Sequence, residues 1–363
     1  MRMEEEKNAL KHLGLHAPSG SVVHWVRARL RQLSRHKRLF NLVRIAVSLI
    51  LIVTILLSVN LRELGQAMGR AHVWYLAAAL VVSFAGVIVR AYRWQILLED
   101  QQVRASMGEL SALWFVSFLF TNLLPSGIGG DAIKVYELTR SHERGAQAVS
   151  SVLVDRFMGL FALQAIGLVA LGFSWWLIPT QLVVLTIIVF GASLLVAWLV
   201  SARGVWDFIS MRLPLVGRLL SIKAVRSLFE SLQSYRRSAL LRAFGVGLVF
   251  NAFLIGMNVL IGQGLGIELP LNYYMIFVPI TSVVLLLPIS FAGLGVREFT
   301  YVGLFTQALV TQMTLSQETA RSLALSLSLL VYVIGTVSPG IVGGVIYMLR
   351  PARVRPAHGA LEE

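Results

Sequence analysis

Leu286-Leu287-Pro288-Ile289-Ser290-Phe291-Ala292-Gly293-Leu294-Gly295-Val296-Arg297-Glu298 closes an unbroken apolar run and then sets two opposite charges beside a glycine break. Hydrocarbon offers no water to a freed N–H or C=O. Non-helical backbone therefore persists at membrane depth only where it is buried in protein or lines a wet cavity. The stretch marks where a site is to be sought, and what surrounds it decides the class of protein.

The surroundings are apolar. Of 363 residues, 56% are hydrophobic and 14% charged, with a mean hydropathy of +0.74, which excludes an ordinary soluble domain. The fold class expected is an all-α polytopic membrane protein. A crossing needs about 20 apolar residues, and full spans are expected at 40–59, 73–95, 147–172, 177–201, 240–265 and 322–349. The first 20 residues are polar, include Glu4, Glu5 and Glu6 and lack an apolar core. The reading is thus an uncleaved first span rather than a signal peptide.

Lys and Arg number 32 against 18 Asp and Glu, for a formal charge of +14. In a soluble protein that excess would point to nucleic acid; here its placement does not. Basic residues gather in Arg27–Arg44, in Arg203–Arg242 and at Arg350, Arg353 and Arg355, while the opposite loops carry little beyond Arg62, Arg70 and Arg321. The positive-inside rule then places both termini in the cytoplasm of a bacterial-type inner membrane. The chain divides into a cytoplasmic segment 1–39, a transmembrane domain 40–349 and a tail 350–363, with a cytoplasmic amphipathic segment at 203–238.

Val22, Val26, Leu30 and Leu33 recur at helical spacing among Arg27, Arg29, Arg31, Arg35, Lys37 and Arg38. Ile222, Val225, Phe229 and Leu232 do the same beside Lys223, Arg226 and Arg237. Both read as basic interfacial helices. Their charge either sets topology alone or also engages an anionic lipid surface, at about 1 kcal/mol per basic residue.

Two apolar stretches do not fit simple spans. Ala112–Leu124 breaks at Pro125, Gly127, Gly129 and Gly130 and returns through Asp131, Lys134 and Tyr136. Met275–Leu287 breaks at Pro288, Gly293 and Gly295 and returns through Arg297 and Glu298. Both read as re-entrant helical hairpins, the first entering from the cytoplasmic side and the second, by span count, from the other. Leu123-Leu124-Pro125 with Gly127-Ile128-Gly129 is echoed by Leu286-Leu287-Pro288 with Gly293-Leu294-Gly295. Either chance or an inverted repeat explains the echo, and paired broken helices of opposite orientation are what secondary transporters place around a midplane site.

Ionisable residues inside a membrane are costly and are functional candidates by default. Asp131 and Lys134, three apart at a helix start, share a face, so Asp131 either caps that helix or contacts a ligand. Asp155 and Arg156 point about 100° apart on a helix, which would let Arg156 face a cavity while Asp155 binds another helix. Arg297 and Glu298 share that geometry, which suggests cross-pairing, tested as Asp155 with Arg297. Arg90 and Arg93, beside Trp94, are either snorkelling interfacial anchors or guanidinium forks for phosphate. With Lys134, Arg156 and Arg297 they favour an anion-bearing head group over a cation, helped by helix N-termini after the glycine breaks.

Absences narrow the chemistry. The sequence has no cysteine, no histidine within an expected span, no H-E-x-x-H, no Walker A motif and no Asp-x-Asp pair. Thiol, His-dependent and zinc-hydrolase chemistry, P-loop ATP use and metal-dependent glycosyl transfer are therefore disfavoured. No metal, cofactor or nucleic acid is expected. Gly340 and Gly344 form a G-x-x-x-G read as internal helix packing.

The order of Arg90-Ala91-Tyr92-Arg93-Trp94, Asn122-Leu123-Leu124-Pro125-Ser126-Gly127-Ile128-Gly129-Gly130-Asp131, Asp155-Arg156 and Leu287-Pro288 through Gly293-Leu294-Gly295-Val296-Arg297-Glu298 resembles the flippase-like transmembrane family of lysylphosphatidylglycerol synthase. The resemblance runs over roughly residues 41–349 and implies a helical membrane domain, with re-entrant segments, that moves lipids between leaflets. In the synthase a soluble C-terminal domain performs aminoacyl transfer. Here a short tail follows Arg350, so that activity is not expected.

The function expected is a lipid translocase whose partners are membrane lipids and, in one reading, a separate lipid-modifying enzyme. Arg156 and Arg297 would hold the phosphate, with Arg90, Arg93 and Lys134 contributing. Asn122 and the prolines and glycines of the breaks would shape the backbone, and Asp131, Asp155 or Glu298 would pair charges or couple protons. The rivals are a small anionic solute carrier, an intramembrane enzyme and a non-catalytic subunit of a lipid-synthesis complex.

Overall fold

The computed structural model describes residues 65–66, 69–123, 129–142, 145–177, 179–201, 223–286 and 293–349. The expected span 40–59, the basic segment from Arg27, the tail from Arg350, Ile222 and the break residues Pro125, Gly127 and Pro288 lie outside the described residues. Those described are helical, with no strand among them: an all-α polytopic membrane protein.

In chain order the helices are α1 (Val73–Asp100), α2 (Met107–Leu123), α3 (Gly129–His142) and α4 (Gly145–Ser174), then a 3₁₀ turn (Trp175–Leu177), α5 (Thr180–Ser201) and α6 (Lys223–Gln233). There follow α7 (Arg237–Gly264), α8 (Leu271–Val284), α9 (Val296–Met313) and α10 (Gln317–Tyr332). The last continues through a π turn (Val333–Val337) into α11 (Ser338–Leu349). Among the described residues, α1, α4, α7 and α10–α11 taken as one are long and apolar enough to cross a membrane. They coincide with the expected spans at 73–95, 147–172, 240–265 and 322–349, and α5 occupies the place expected at 177–201.

Two long helices end alike. At the end of α1, Gln102 takes φ 57°, Val103 N–H reaches back to Leu98 O (2.9 Å) and Gln102 N–H to Glu99 O (3.0 Å). At the end of α7, Gly266 takes φ 75°, with Ile267 N–H on Gly262 O (2.8 Å) and Gly266 N–H on Gln263 O (3.0 Å). Each is a Schellman stop that satisfies carbonyls the helix leaves open.

α1 and α7 lie side by side and antiparallel. His72 N–H donates to Gly264 O (2.8 Å) at one end, Gly86 faces Phe250 and Phe253 midway, and Arg236 N–H donates to Asp100 Oδ2 (2.9 Å) at the other. Beyond α1 comes a hairpin of short helices (α2, α3) and a long helix (α4); beyond α7 comes another hairpin (α8, α9) and another long helix (α10–α11). Each long helix packs on the other half's hairpin. Gly167 of α4 meets Pro279 of α8, and Asn272 Nδ2 donates to Ser174 Oγ (2.9 Å). Gly340 and Gly343 of α11 sit against α2, where a Cβ on Gly343 would strike the Phe115 carbonyl. The same order of elements occurs twice, with antiparallel lead helices. The small-residue face of α11 thus packs within the chain, its closest approach at Gly343 rather than Gly344.

Two apolar clusters brace this frame. One joins Tyr274, Phe277, Phe305 and Leu309 to α7 and α10; the other joins Trp94, Leu98, Leu110 and Trp114 between α1 and α2. α6 is held by hydroxyls, with Ser231 Oγ 2.6 Å from Ser150 Oγ and donating to Gln101 Oε1 (3.1 Å). Tyr235 is buried beside them, and burial pushes its phenol above the ordinary value, so it stays protonated.

Candidate functional site

Where α1, α4, α7, the second hairpin and the π turn converge, they line a half-open cavity of about 430 Å³. Four arginines from three helices line it: Arg90 and Arg93 from α1, Arg156 from α4 and Arg297 from α9. Phe118 and Thr121 of the first hairpin reach the same wall as Leu285, Leu286 and Gly293 of the second.

Arg93 is 1% exposed, and its Nε and Nη2 donate to Asp155 Oδ1 (2.7 Å) and Oδ2 (2.9 Å). The anchor reading of this arginine is therefore corrected: a carboxylate from α4 draws the guanidinium inward, and Tyr92 is the exposed neighbour. Gly159, one turn beyond Asp155, makes room, since a Cβ there would stand 2.6 Å from Arg93 Nη1. Trp94 is also buried, with its indole N–H on Ser151 Oγ (3.1 Å). Arg90 turns inward too, with Cζ 4.1 Å from the Trp114 ring centroid and 5.1 Å from that of Phe250, a cation–π arrangement.

Asp155 and Arg156 diverge as their helical offset requires: Asp155 goes to α1 and Arg156 faces the cavity. The expected cross-pairing of Asp155 with Arg297 is not made, because Arg93 occupies both carboxylate oxygens. Arg156 instead pairs with Asp131 at the start of α3, whose other oxygen lies 2.8 Å from Lys134 Nζ. A carboxylate in a first helical turn is favoured by the helix dipole. Lys134, expected on the head group, is set back from the cavity wall: its ammonium lies 3.4 Å from the Trp114 ring centroid and the residue is 1% exposed.

In the second hairpin, Gly293 and Gly295 take φ 80° and 81°, a region costly for residues with a Cβ. Gly295 N–H donates to Glu298 Oε2 (2.6 Å), so Glu298 caps α9. Its Oε1 is 4.0 Å from Arg297 Nη1, and the Arg297 guanidinium lies 4.3 Å over the Tyr332 ring. Asn122 holds the first hairpin to the far helix, donating to Thr336 O (3.2 Å) and accepting from Tyr332 OH (3.0 Å). Gly129 and Gly130 start α3 buried, and Gly130 is pressed against Ser117 and Thr121 of α2.

The family model described as the lysylphosphatidylglycerol synthase TM region matches residues 41–343. The chain belongs to this family. None of the curated proteins compared with it matches. Within this lysylphosphatidylglycerol synthase transmembrane family member, every motif that carried the resemblance and lies in the described residues borders the cavity or braces a residue that does.

Sequence reading missed the π turn, which interrupts the span expected as continuous at 322–349. Pro339 has no N–H for the carbonyl of Gly335, four residues back, and Ser338 N–H bonds to Val333 O, five back. The widened turn presents Gly335 and Thr336 to the cavity and leaves Ile334 O to accept from Ser83 Oγ (3.1 Å). Such turns recur at functional sites, and Pro339 was the signal. Trp114, Phe250 and Tyr332, the rings under the cations, were not singled out either; spacing along one helix does not say which ring faces it from another.

Proposed function

We propose that this protein translocates lipids between the leaflets of a bacterial-type inner membrane, with both termini cytoplasmic and its two hairpins re-entrant from opposite faces. The phosphate-bearing head group passes through the arginine-lined cavity while the hydrocarbon tails stay in lipid. The single observation carrying this reading is the convergence of Arg90, Arg93, Arg156 and Arg297 on one cavity between the two halves. Guanidinium forks match phosphate oxygens, and a site between inverted halves is accessible from either side if one half rocks against the other. Membership of a lipid-related membrane family adds weight, as does the basic α6 beside the bundle, suited to an anionic lipid surface. A separate lipid-modifying enzyme would supply or consume the cargo.

The test is leaflet exchange of fluorescent phospholipids and polyprenyl phosphates in proteoliposomes, against protein-free vesicles, with the lipids recovered afterwards for mass spectrometry. Accelerated exchange with lipids chemically unchanged is expected. Covalently altered lipid, or no exchange for any class with or without an imposed pH gradient, would refute the proposal in favour of an enzyme or a complex subunit.

A further inference from the structure

Among the described residues, the cavity wall carries cations and no anion. Its arginines stand with serine, threonine and asparagine side chains, and neither Asp nor Glu lines it. Glu137, a further buried carboxylate of the first hairpin, is not on this wall. The sequences of the two hairpin breaks, 124–128 and 287–292, contain no ionisable residue.

The carboxylates nearest the wall are committed to the protein's own groups. Asp155 gives both oxygens to Arg93. Asp131 holds Lys134 with one oxygen and Arg156 with the other. Glu298 accepts from Gly295 N–H, and its second oxygen lies 4.0 Å from Arg297 Nη1.

The rings beside the arginines are committed too. A ligand ammonium is received by carboxylates or by the π faces of aromatic rings. Here Arg90 lies over Trp114 and Phe250, Lys134 over Trp114, and Arg297 over Tyr332. Both kinds of receptor for an ammonium are filled from within, so an incoming one would meet guanidinium groups instead. Like charges between low-dielectric walls repel strongly.

We infer that the cavity selects lipids whose head group carries negative charge alone, an unmodified anionic phospholipid or a polyprenyl phosphate. It rejects those that add an ammonium, such as phosphatidylethanolamine and aminoacylated phosphatidylglycerol. Phosphate is common to all of these, so the discrimination lies in what accompanies it, and repulsion supplies the selectivity. The family's description names a lysyl lipid, yet the wall of this member has the wrong sign for a lysyl group. The inference rests on the translocase reading for the presence of a lipid head group in the cavity.

The full chain in neutral detergent is titrated with short-chain phosphatidylglycerol, phosphatidylethanolamine, N-acetyl phosphatidylethanolamine and lysylphosphatidylglycerol, following the thermal unfolding midpoint. Acetylation removes the ammonium while enlarging the head group, which separates charge from size. Phosphatidylglycerol and the acetylated lipid are expected to half-saturate at similar concentrations, and the two ammonium lipids at concentrations about tenfold or more higher. Arg90→Gln is expected to narrow the gap; the wild-type series stands by itself should that variant not fold. An ammonium lipid that binds as tightly as phosphatidylglycerol, or no binding by any of the four, would overturn the inference. Weak binding of the acetylated lipid would overturn it in favour of selection by size. An undiminished gap in folded Arg90→Gln would overturn the assignment to this cavity. The expected selectivity without leaflet exchange would leave the inference standing and sink the translocase reading.

Discussion

Arg93 of α1 and Asp155 of α4, 62 residues apart in sequence, meet in a two-point ion pair with both side chains 1% exposed. The pair fixes the two helices at the cavity wall and leaves one guanidinium nitrogen, Nη1, without an acceptor among the described residues. Its geometry makes the site a joint product of helices that no local motif connects.

Asp155→Asn leaves the Arg93 guanidinium buried without its counter-charge and is expected to lower stability by about 3–5 kcal/mol. The double variant Arg93→Met, Asp155→Leu should recover most of the loss, because neither partner is then stranded. Unfolding in detergent, followed by helical circular dichroism, checks both. A single variant as stable as the parent would contradict the role of the pair.

Gly343→Ala forces a methyl toward the Phe115 carbonyl at the contact of α11 with α2 and is expected to cost about 1–3 kcal/mol. Gly245→Ala, in the interior of α7 where a Cβ meets nothing within 4 Å, should gain up to about 1 kcal/mol from helix propensity. The two unfolding midpoints must move in opposite directions.

Glu298 caps α9 through its Oε2, so Glu298→Gln, which keeps an acceptor, should be milder than Glu298→Ala, which should lose about 0.5–2 kcal/mol. Exchange in the Gln variant is expected to persist with its response to an imposed pH gradient unchanged. Loss of that response in a stable Gln variant would instead mark Glu298 as a proton carrier.

Asn122→Ala strands both the Tyr332 hydroxyl and the Thr336 carbonyl and should cost about 1–3 kcal/mol. Tyr332→Phe removes one of those bonds, keeps the ring beneath Arg297, and should cost about 0.5–1.5 kcal/mol. Unfolding midpoints in the reverse order would contradict the assigned hydrogen bonds.

Much of the frame was legible in the sequence because hydropathy and breaks are local properties. The long helices, the paired short helices and the glycine turn before Arg297 all follow from runs and interruptions that one reads directly. Partner choice was not legible. Helical spacing separates Asp155 from Arg156 but does not say that Arg93 rather than Arg297 waits across the gap. Arg93 looked like an interfacial anchor because its buried position depends on a carboxylate 62 residues away. Lys134 looked like a ligand until Asp131 and the Trp114 ring claimed its ammonium. The π turn was readable from Pro339 alone, by asking which carbonyl loses its donor.

The central claim is that the cavity arginines carry the head group. Its most direct test is the rate of leaflet exchange in proteoliposomes for Arg90→Gln and Arg297→Gln, each first shown to be folded by its unfolding transition. Both should slow exchange about tenfold or more, since each removes a charged donor worth at least about 1.4 kcal/mol to a phosphate in passage. Exchange at the parental rate in both folded variants would contradict the account.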